Sequence, residues 1–169
     1  MVFYRKGQEK FLFDQIQQLT DDAIIVEIGS FLGRSTACMG FACVGTNSKI
    51  YSIDTWNGSN SDFPVQDFYL NWAKNIMDNQ LEGYVMPLIG DSDTILNLWN
   101  SITRYKKIDL IFIDGSQVYK DVLADFYFSY EHLKDGGWIL FHDITADGWP
   151  DPEVVWQEVA GKLLINHRF

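Results

Sequence analysis

Cysteine is scarce in this sequence, and long apolar segments are absent. The 169 residues include two cysteines, Cys38 and Cys43, whose spacing puts them on different faces of a predicted helix. This excludes a disulfide framework and a C-x-x-C metal site. No apolar run approaches the roughly 18 to 20 residues that a membrane helix needs, and the opening MVFYRKGQEK contains no signal-peptide core. We therefore expect one cytoplasmic domain over residues 1–169 and no membrane partner.

Positive charge is also in short supply. Thirteen lysines and arginines stand against 23 acidic residues, which gives a formal net charge of −10. Such a surface repels phosphate backbones, and no basic cluster counters that repulsion, so a nucleic-acid partner is not expected. An acidic protein presents no obstacle to a positively charged small molecule, although most of the surplus is expected to be solubilising surface.

Short apolar runs of strand-like composition alternate with segments of helical periodicity. We predict strands buried on both faces at Ile24–Ile28, Ile50–Ile53, Val85–Ile89, Leu110–Ile113 and Trp138–Phe141. Between them apolar residues recur at helical spacing, as at Phe68, Trp72 and Ile76. Asp151 and Pro152 predict the N-cap and first position of a last helix. This alternation favours an α/β fold of the Rossmann-like, doubly wound kind, with a mainly parallel sheet and helices on both faces.

The residues that follow the predicted strands are the first candidates for a site, because ligands bind outside the carboxyl ends of parallel strands. They are Gly29, Asp54, Gly90, Asp91, Asp114, Gly115, His142 and Asp143. Asp and Gly are ordinary turn and N-cap residues when taken singly. Their joint occurrence after successive strands predicts an acidic ligand site at one edge of the sheet.

The stretch IIVEIGSFLGRST contains two glycines that allow a tight turn between the first strand and the next helix. A pyrophosphate needs a second glycine two residues after Gly29, and Phe31 occupies that position. A dinucleotide, and with it a nicotinamide-dependent oxidoreductase, is therefore disfavoured. A nucleoside without phosphates fits better, with its ribose diol bound by the Asp54 carboxylate.

Five stretches, VEIGSFLGRST, IYSIDTW, LIGDS, IDLIFIDGSQVYKDVLADF and LKDGGWILFHD, together resemble class I S-adenosylmethionine-dependent methyltransferases over roughly residues 7 to 143. They are most similar to the branch of macrocin-type sugar O-methyltransferases and cephalosporin-hydroxylase-like proteins. The resemblance implies S-adenosyl-L-methionine as cofactor, with its methionine end at Glu27 and Gly29, its ribose at Asp54 and its adenine at Asp91 and Ser92. The full cofactor-binding set that we expect is Glu27, Gly29, Ser30, Phe31, Gly33, Ser35, Thr36, Asp54, Thr55, Trp56, Gly90, Asp91, Ser92 and Asp114.

The same resemblance implies that Asp114, His142 and Asp143 are the catalytic residues. Asp114 and His142 are the candidate bases, and an unperturbed histidine has a suitable pKa for that task. Related sugar O-methyltransferases hold a divalent cation with acids at these positions. Asp114, His142 and Asp143 therefore leave a Mg²⁺ site open, although the imidazole weakens that case because Mg²⁺ prefers oxygen ligands.

Two departures from the family pattern leave the function open. Ser116 and Gln117 stand where many relatives have an acid and a histidine, and the C-terminal antiparallel hairpin of the family is missing or reduced. An open sheet edge then predicts a homo-oligomer. We expect an O-methyltransferase acting on a small hydroxylated acceptor, such as a sugar or a secondary metabolite. The alternative is a catalytically impaired binding or regulatory protein.

Overall fold

The computed structural model describes residues 7–58, 67–144 and 150–166. The strands in these ranges are β1 (Ile24–Ile28), β2 (Lys49–Asp54), β3 (Val85–Ile89), β4 (Ile108–Ile113) and β5 (Leu133–Phe141). The helices are α1 (Gln8–Ile16), α2 (Arg34–Ala42), α3 (Phe68–Asp78), α4 (Ser92–Asn97), α5 (Trp99–Thr103), α6 (Tyr119–His132) and α7 (Pro150–Asn166). None of these helices combines the length and the hydropathy that crossing a lipid bilayer requires.

The five strands form one sheet in the order β3-β2-β1-β4-β5, and every neighbouring pair is parallel. The chain moves outward from β1 to β3 and then returns to place β4 on the other side of β1. The strand order therefore reverses between β1 and β4, which is where an open α/β sheet forms its ligand crevice. This confirms the predicted Rossmann-like class.

Burial differs between the inner and the outer strands. Strands β1 and β4 are buried along their whole length, as their apolar composition predicts. The prediction of burial on both faces is wrong for β3 and β5, where Met86, Ile89 and Trp138 are about half exposed. Both are edge strands of the described sheet, in which each pairs with one neighbouring strand. Pro87 fits the edge strand β3, because its missing N–H costs no bond of an inner ladder.

Helices cover both faces of the sheet and create two separate cores. On one face Leu12 and Ile16 of α1 pack with Phe68 and Trp72 of α3, so the aromatic residues of α3 are packing residues, as their spacing predicts. The other face carries α4 to α7, with Trp99 of α5 fully buried. Apolar side chains therefore fill both sides of the sheet, and polar groups concentrate at the ends of its strands.

The start of the last helix differs from the prediction. Helix α7 begins at Pro150, so Asp151 lies inside it and is not its N-cap. The Asp151 carboxylate instead accepts a hydrogen bond of 2.9 Å from the backbone N–H of Tyr119, the first residue of α6. Val118 at the N-cap of α6 provides no side-chain cap of its own. The Asp151 side chain thus caps the start of α6 and not that of its own helix, and the local sequence pattern around Asp151 does not reveal this.

Candidate active site

Four ladder hydrogen bonds bring the ends of the strands together at the carboxyl edge. The backbone N–H of Gly29 donates to Ile53 at 2.9 Å, and that of Asp114 donates to Ile28 at 2.8 Å. The N–H of Gly90 donates to Asp54 at 3.0 Å, and that of His142 to Ile113 at 2.9 Å. The residues that were predicted to meet at this edge therefore do so.

Glu27 lies beneath the turn between β1 and α2 and is fully buried. Its carboxylate accepts hydrogen bonds from four hydroxyls, those of Ser30 (2.7 Å), Ser35 (2.5 Å), Thr36 (2.6 Å) and Ser52 (2.9 Å). Burial raises the pKa of Glu27, and the hydroxyl hydrogen bonds oppose that rise. The polar side chains predicted to line the cofactor thus bind one another, and their contact with a cofactor stays a prediction.

Asp54, at the end of β2, fastens the turn that follows β1. Its Oδ2 atom accepts hydrogen bonds from the backbone N–H groups of Ser30 and Phe31, both at 2.8 Å, and Oδ1 accepts from that of Trp56 at 2.7 Å. Thr55 is half-buried beside it. A carboxylate has about four lone-pair positions, so these three bonds leave one for a ribose hydroxyl. The geometry fits a role in ribose binding and adds a role in shaping the turn.

Two aromatic residues of this region have left-handed backbones. Phe31 has a φ of 46° and Trp56 a φ of 48°, a conformation that costs a bulky residue about 1 to 3 kcal/mol. The indole N–H of Trp56 donates to the Phe31 carbonyl at 2.9 Å, and the Phe31 ring packs on Phe68 with centroids 5.4 Å apart. These contacts hold the turn in a conformation that glycine usually provides.

The two glycines of the turn make room for the protein itself. A Cβ atom on Gly29 would lie 2.2 Å from the carbonyl oxygen of Asp114, and one on Gly33 would lie 2.8 Å from the Trp72 ring. Both also have positive φ, at 87° and 86°. The sequence analysis gave these glycines to a tight turn and to the cofactor-binding set. In the structure they permit close packing of β4 and α3, and ligand contact stays a prediction.

The predicted adenine end lies after β3. Gly90 has a φ of 155°, Asp91 is exposed at the N-cap of α4, and the Ser92 side chain hydrogen-bonds the buried carboxyl of Asp125 in α6. Burial raises the pKa of Asp125 to about 7, with a further rise from the charges of Asp121 and Asp93, while the Ser92 bond lowers it. The loop after β3 is thereby attached to α6.

Asp114, His142 and Asp143 form an acid–histidine cluster. Nδ1 of His142 lies 2.9 Å from an oxygen of each aspartate, and one potential ligand atom from each residue lies within 4.8 Å of the others. Burial alone would lower the pKa of His142, but hydrogen bonds to Asp114 and Asp143 and their charges raise it to about 10. The expectation of an unperturbed pKa is therefore wrong: His142 is an imidazolium between two acids.

The other members of the cluster differ in environment. Burial raises the pKa of Asp114, and the charges of Asp143 and Asp54 add to that rise, whereas His142 opposes it. Asp143 has a left-handed backbone with a φ of 57°, and its Oδ2 accepts a hydrogen bond of 3.0 Å from Nε2 of Gln117. Asp114 is thus the carboxyl with the raised pKa, and Asp143 is held by the Gln117 amide.

The cluster has the donor chemistry of a divalent metal site. Two carboxylates and one imidazole suit Mn²⁺ or Zn²⁺ better than Mg²⁺, which prefers oxygen alone. A metal would bind neutral His142 and would therefore displace its proton. The residues fit a cation of borderline hardness, which is a different expectation from the Mg²⁺ that the resemblance implies.

A small cleft adjoins the cluster between β4, β5 and the first turns of α6 and α7. It has a volume of about 10 Å³, enough for about one water molecule, and its lining includes Asp114, Ser116, Gln117, His142 and Pro152. The sequence marked Gln117 as a departure from the family pattern but did not include it among the site residues, and it did not place Ser52 among the partners of Glu27. Ser52 could have been found, because a polar residue within the apolar strand β2 requires a partner.

The sheet order, the glycine turn after β1 and the acid that ends β2 define the class of the protein. They are the features of a class I, S-adenosylmethionine-dependent methyltransferase. A family model described as a methyltransferase domain matches residues 26–144. The chain belongs to this methyltransferase family.

Other proteins are similar to this chain in sequence or in fold. An uncharacterised protein of Acanthamoeba polyphaga mimivirus is 28% identical over 141 residues, which cover 80% of this chain and 57% of that protein. The Bacillus cereus O-methyltransferase, solved in complex with S-adenosylhomocysteine, superimposes with a TM-score of 0.70 at 19% identity, over 98% of this chain and 71% of that one. The TDP-rhamnose 3′-O-methyltransferase of calicheamicin biosynthesis does so with a TM-score of 0.69 at 19% identity, over 93% and 73%. The chain spans a little over half the length of the mimivirus protein, its curated relative.

Proposed function

We propose that the chain transfers the methyl group of S-adenosylmethionine to a hydroxyl oxygen of a small acceptor, such as a sugar or another hydroxylated metabolite. The observation that carries this proposal is the position of three carboxylates at the carboxyl edge: those of Asp114 and Asp143 each lie 2.9 Å from Nδ1 of His142, and Asp54 ends β2 at the same edge. Such a site favours a sulfonium cation and repels phosphate. The O-methyltransferases among the structural neighbours support the same choice.

The cofactor fits along the carboxyl edge. In this proposal Asp54 binds the ribose through the lone-pair position that the turn leaves open. The loop of Gly90, Asp91 and Ser92 meets the adenine, and the sulfonium lies towards Gly29 and Asp114. S-adenosylmethionine supplies an electrophilic methyl group, and the protein must hold an acceptor oxygen in line with it.

Asp114 is the proposed base. Because His142 already carries a proton, it cannot take another from the acceptor. Asp114, the other candidate base, borders the cleft beside the cluster, and burial raises its pKa towards the range in which a carboxylate takes up a proton more readily. His142 then keeps Asp114 and Asp143 in place through its two contacts of 2.9 Å.

The cluster is also the proposed site of a divalent cation. Asp114, His142 and Asp143 would hold it, and a bound cation would lower the pKa of the acceptor hydroxyl. We therefore expect Mn²⁺ to bind more tightly than Mg²⁺. A calorimetric titration of the protein with each metal ion tests this, and tighter binding of Mg²⁺ would contradict it.

The experiment for the function has two stages. Calorimetry with S-adenosylhomocysteine tests the cofactor, and a screen of hydroxylated acceptors that follows S-adenosylhomocysteine release tests the reaction, with EDTA or Mn²⁺ added in parallel. Failure to bind S-adenosylhomocysteine would reject the whole proposal. Binding without turnover of any acceptor would favour the second candidate, a binding or regulatory protein, for which Gln117 in place of a family histidine is the supporting observation.

Self-association through β5 is a further part of the proposal. β5 lies at an edge of the described sheet, and its half-exposed Trp138 offers apolar area near that edge. The opposite edge is less suited to pairing because Pro87 interrupts its donors. Light scattering at micromolar concentration tests this, since a monodisperse monomer would contradict it.

A further inference from the structure

The turn between β1 and α2 is closed by its own backbone. The N–H of Gly33 donates to the carbonyl of Ser30 at 2.8 Å, so residues 30–33 form one tight turn. Phe31 within it has a left-handed backbone, which is unfavourable for a side chain of this size. The conformation of the turn therefore depends on the groups that bind its peptide units.

All four carbonyls of this turn accept hydrogen bonds. Three of the donors belong to the turn, to α2 and to an indole, and they are the N–H of Gly33, the N–H of Ala37 and Nε1 of Trp56. The fourth donor is Nδ2 of Asn75 in α3, which lies 2.8 Å from the carbonyl oxygen of Leu32. Asn75 is exposed, and its amide nitrogen must face Leu32 because a carbonyl oxygen only accepts. Helix α3 thus binds the backbone of the turn.

Asn75 fixes the peptide group between Leu32 and Gly33. Gly33 has a φ of 86° and no Cβ, so the peptide group before it rotates more easily than others. Its N–H donates to Ser30, and its carbonyl accepts from Asn75. Because the N–H and C=O of a trans peptide group point in opposite directions, the two bonds hold the group from both sides. Removing the Asn75 amide leaves one of them.

Buried contacts of α3 place the Asn75 side chain beside the turn. Trp72, three residues before Asn75, donates from Nε1 to Oγ1 of Thr36 in α2 at 3.2 Å. At the start of α3, the ring of Phe68 packs on that of Phe31 with centroids 5.4 Å apart. The helix is therefore fixed independently of Asn75, and its exposed amide is available to hold the Leu32 carbonyl.

We propose that Asn75 is a positioning residue for S-adenosylmethionine. By fixing the peptide group between Leu32 and Gly33, it holds the turn in the conformation that meets the methionine end of the cofactor. The inference rests on the proposed placement of the cofactor along the carboxyl edge. Asn75 lies outside the cofactor-binding set that the sequence predicts, and it acts through the Leu32 carbonyl. Loss of its amide weakens binding of the amino-acid part of the cofactor and leaves binding of the adenosine part unchanged.

The test compares wild-type protein with Asn75→Ala and Asn75→Asp. The matched controls are Asn71→Ala and Asn71→Asp, one turn earlier on the same helix, because the amide of exposed Asn71 donates to the Asp67 carbonyl at 3.0 Å and not to the turn. Calorimetry measures the Kd of two ligands for each protein. They are S-adenosylhomocysteine and 5′-methylthioadenosine, which has the same adenosine and a thioether but lacks the amino-acid part.

We expect Asn75→Ala to raise the Kd of S-adenosylhomocysteine about fivefold, the effect of one hydrogen bond. Asn75→Asp should raise it at least about tenfold, because a carboxylate has no donor and repels the Leu32 carbonyl. The Kd of 5′-methylthioadenosine should stay within about twofold in both variants. Both Asn71 variants should bind both ligands within about twofold of wild type.

Each other outcome contradicts a different step. An unchanged Kd of S-adenosylhomocysteine in both Asn75 variants would overturn the role of Asn75, and so would an equal rise in Asn71→Asp, since the two aspartates add the same charge. An equal rise for both ligands would overturn the assignment to the methionine end. Failure of wild type to bind S-adenosylhomocysteine would instead overturn the proposed function itself.

Discussion

Replacing Glu27 tests whether its carboxylate holds the turn after β1. Glu27→Leu leaves four buried hydroxyls without their acceptor, those of Ser30, Ser35, Thr36 and Ser52. Each orphaned hydroxyl costs about 1 to 3 kcal/mol, so the sum is at least about 4 kcal/mol. Burial of the Glu27 carboxyl is itself unfavourable, as its raised pKa indicates. Removing this carboxyl therefore offsets part of the loss. We therefore expect a loss of about 3 kcal/mol in the free energy of unfolding, a large share of the roughly 5 to 15 kcal/mol that a domain has.

Glu27→Gln is the matched control. Three of the hydroxyls donate to Oε2 and only that of Ser35 donates to Oε1. If the amide oxygen of Gln takes the position of Oε2, its nitrogen takes that of Oε1, and only the Ser35 hydroxyl has to change from donor to acceptor. We expect a cost within about 1 kcal/mol at neutral pH. Because the folded-state pKa of Glu27 is raised, the contribution of Glu27 to stability is present at low pH and lost as pH rises. The free energy of unfolding of Glu27→Gln should therefore increase relative to that of wild type as pH rises.

Urea unfolding, followed by tryptophan fluorescence, measures the free energy of unfolding of wild type, Glu27→Leu and Glu27→Gln at a series of pH values. A loss below about 1 kcal/mol in Glu27→Leu would refute the reasoning, because four orphaned hydroxyls cannot cost so little. A Gln variant as unstable as the Leu variant would also refute it. That result would mean that the charge of Glu27 matters and the count of hydrogen bonds does not.

Three further predictions concern single residues. Asp54→Ala should weaken S-adenosylhomocysteine binding by about 1 to 3 kcal/mol in calorimetry, with Asp54→Asn intermediate, and unchanged affinity in both would contradict the ribose role. The pKa of Asp125 rises from 3.8 to about 7 on folding, so its contribution to stability is present below pH 4 and lost by pH 7. Asp125→Asn should therefore exceed wild type at pH 8 by up to about 4 kcal/mol in urea unfolding, and a difference independent of pH would refute this. Gly33→Ala should cost about 1 to 3 kcal/mol in thermal unfolding, because its φ is 86° and the new Cβ would meet Trp72 at 2.8 Å; an unchanged melting temperature would contradict this packing role.

Much of the fold could be predicted from hydrophobic patterns because the inner strands are unusually apolar. β1 matches its prediction at both ends. β5 was predicted only from Trp138, yet it begins at Leu133, which pairs with Ile108 before a register shift leads to Trp138 opposite Leu110. The intervening Gly136 and its polar neighbours have turn-like composition. Only the partner strand β4 reveals that they continue the sheet.

The structure brings the predicted site residues to one edge of the sheet, and what they bind stays a prediction. Parallel strands bring their following residues to one edge, so the meeting of Asp54, Asp114 and His142 follows from topology. The left-handed backbone of Phe31 does not follow from a local preference, because a bulky residue rarely adopts it. The same holds for the raised pKa of His142, which depends on acids from two different strand ends.

The four hydroxyls that converge on Glu27 also constrain how this region can evolve. They come from β2, from the turn and from α2. A single substitution therefore cannot make the cluster apolar, because it leaves the other polar groups of the cluster without a hydrogen-bond partner. Each intermediate along that path would be less stable than either end point. Substitutions at these positions should consequently be tolerated in combination and selected against one at a time.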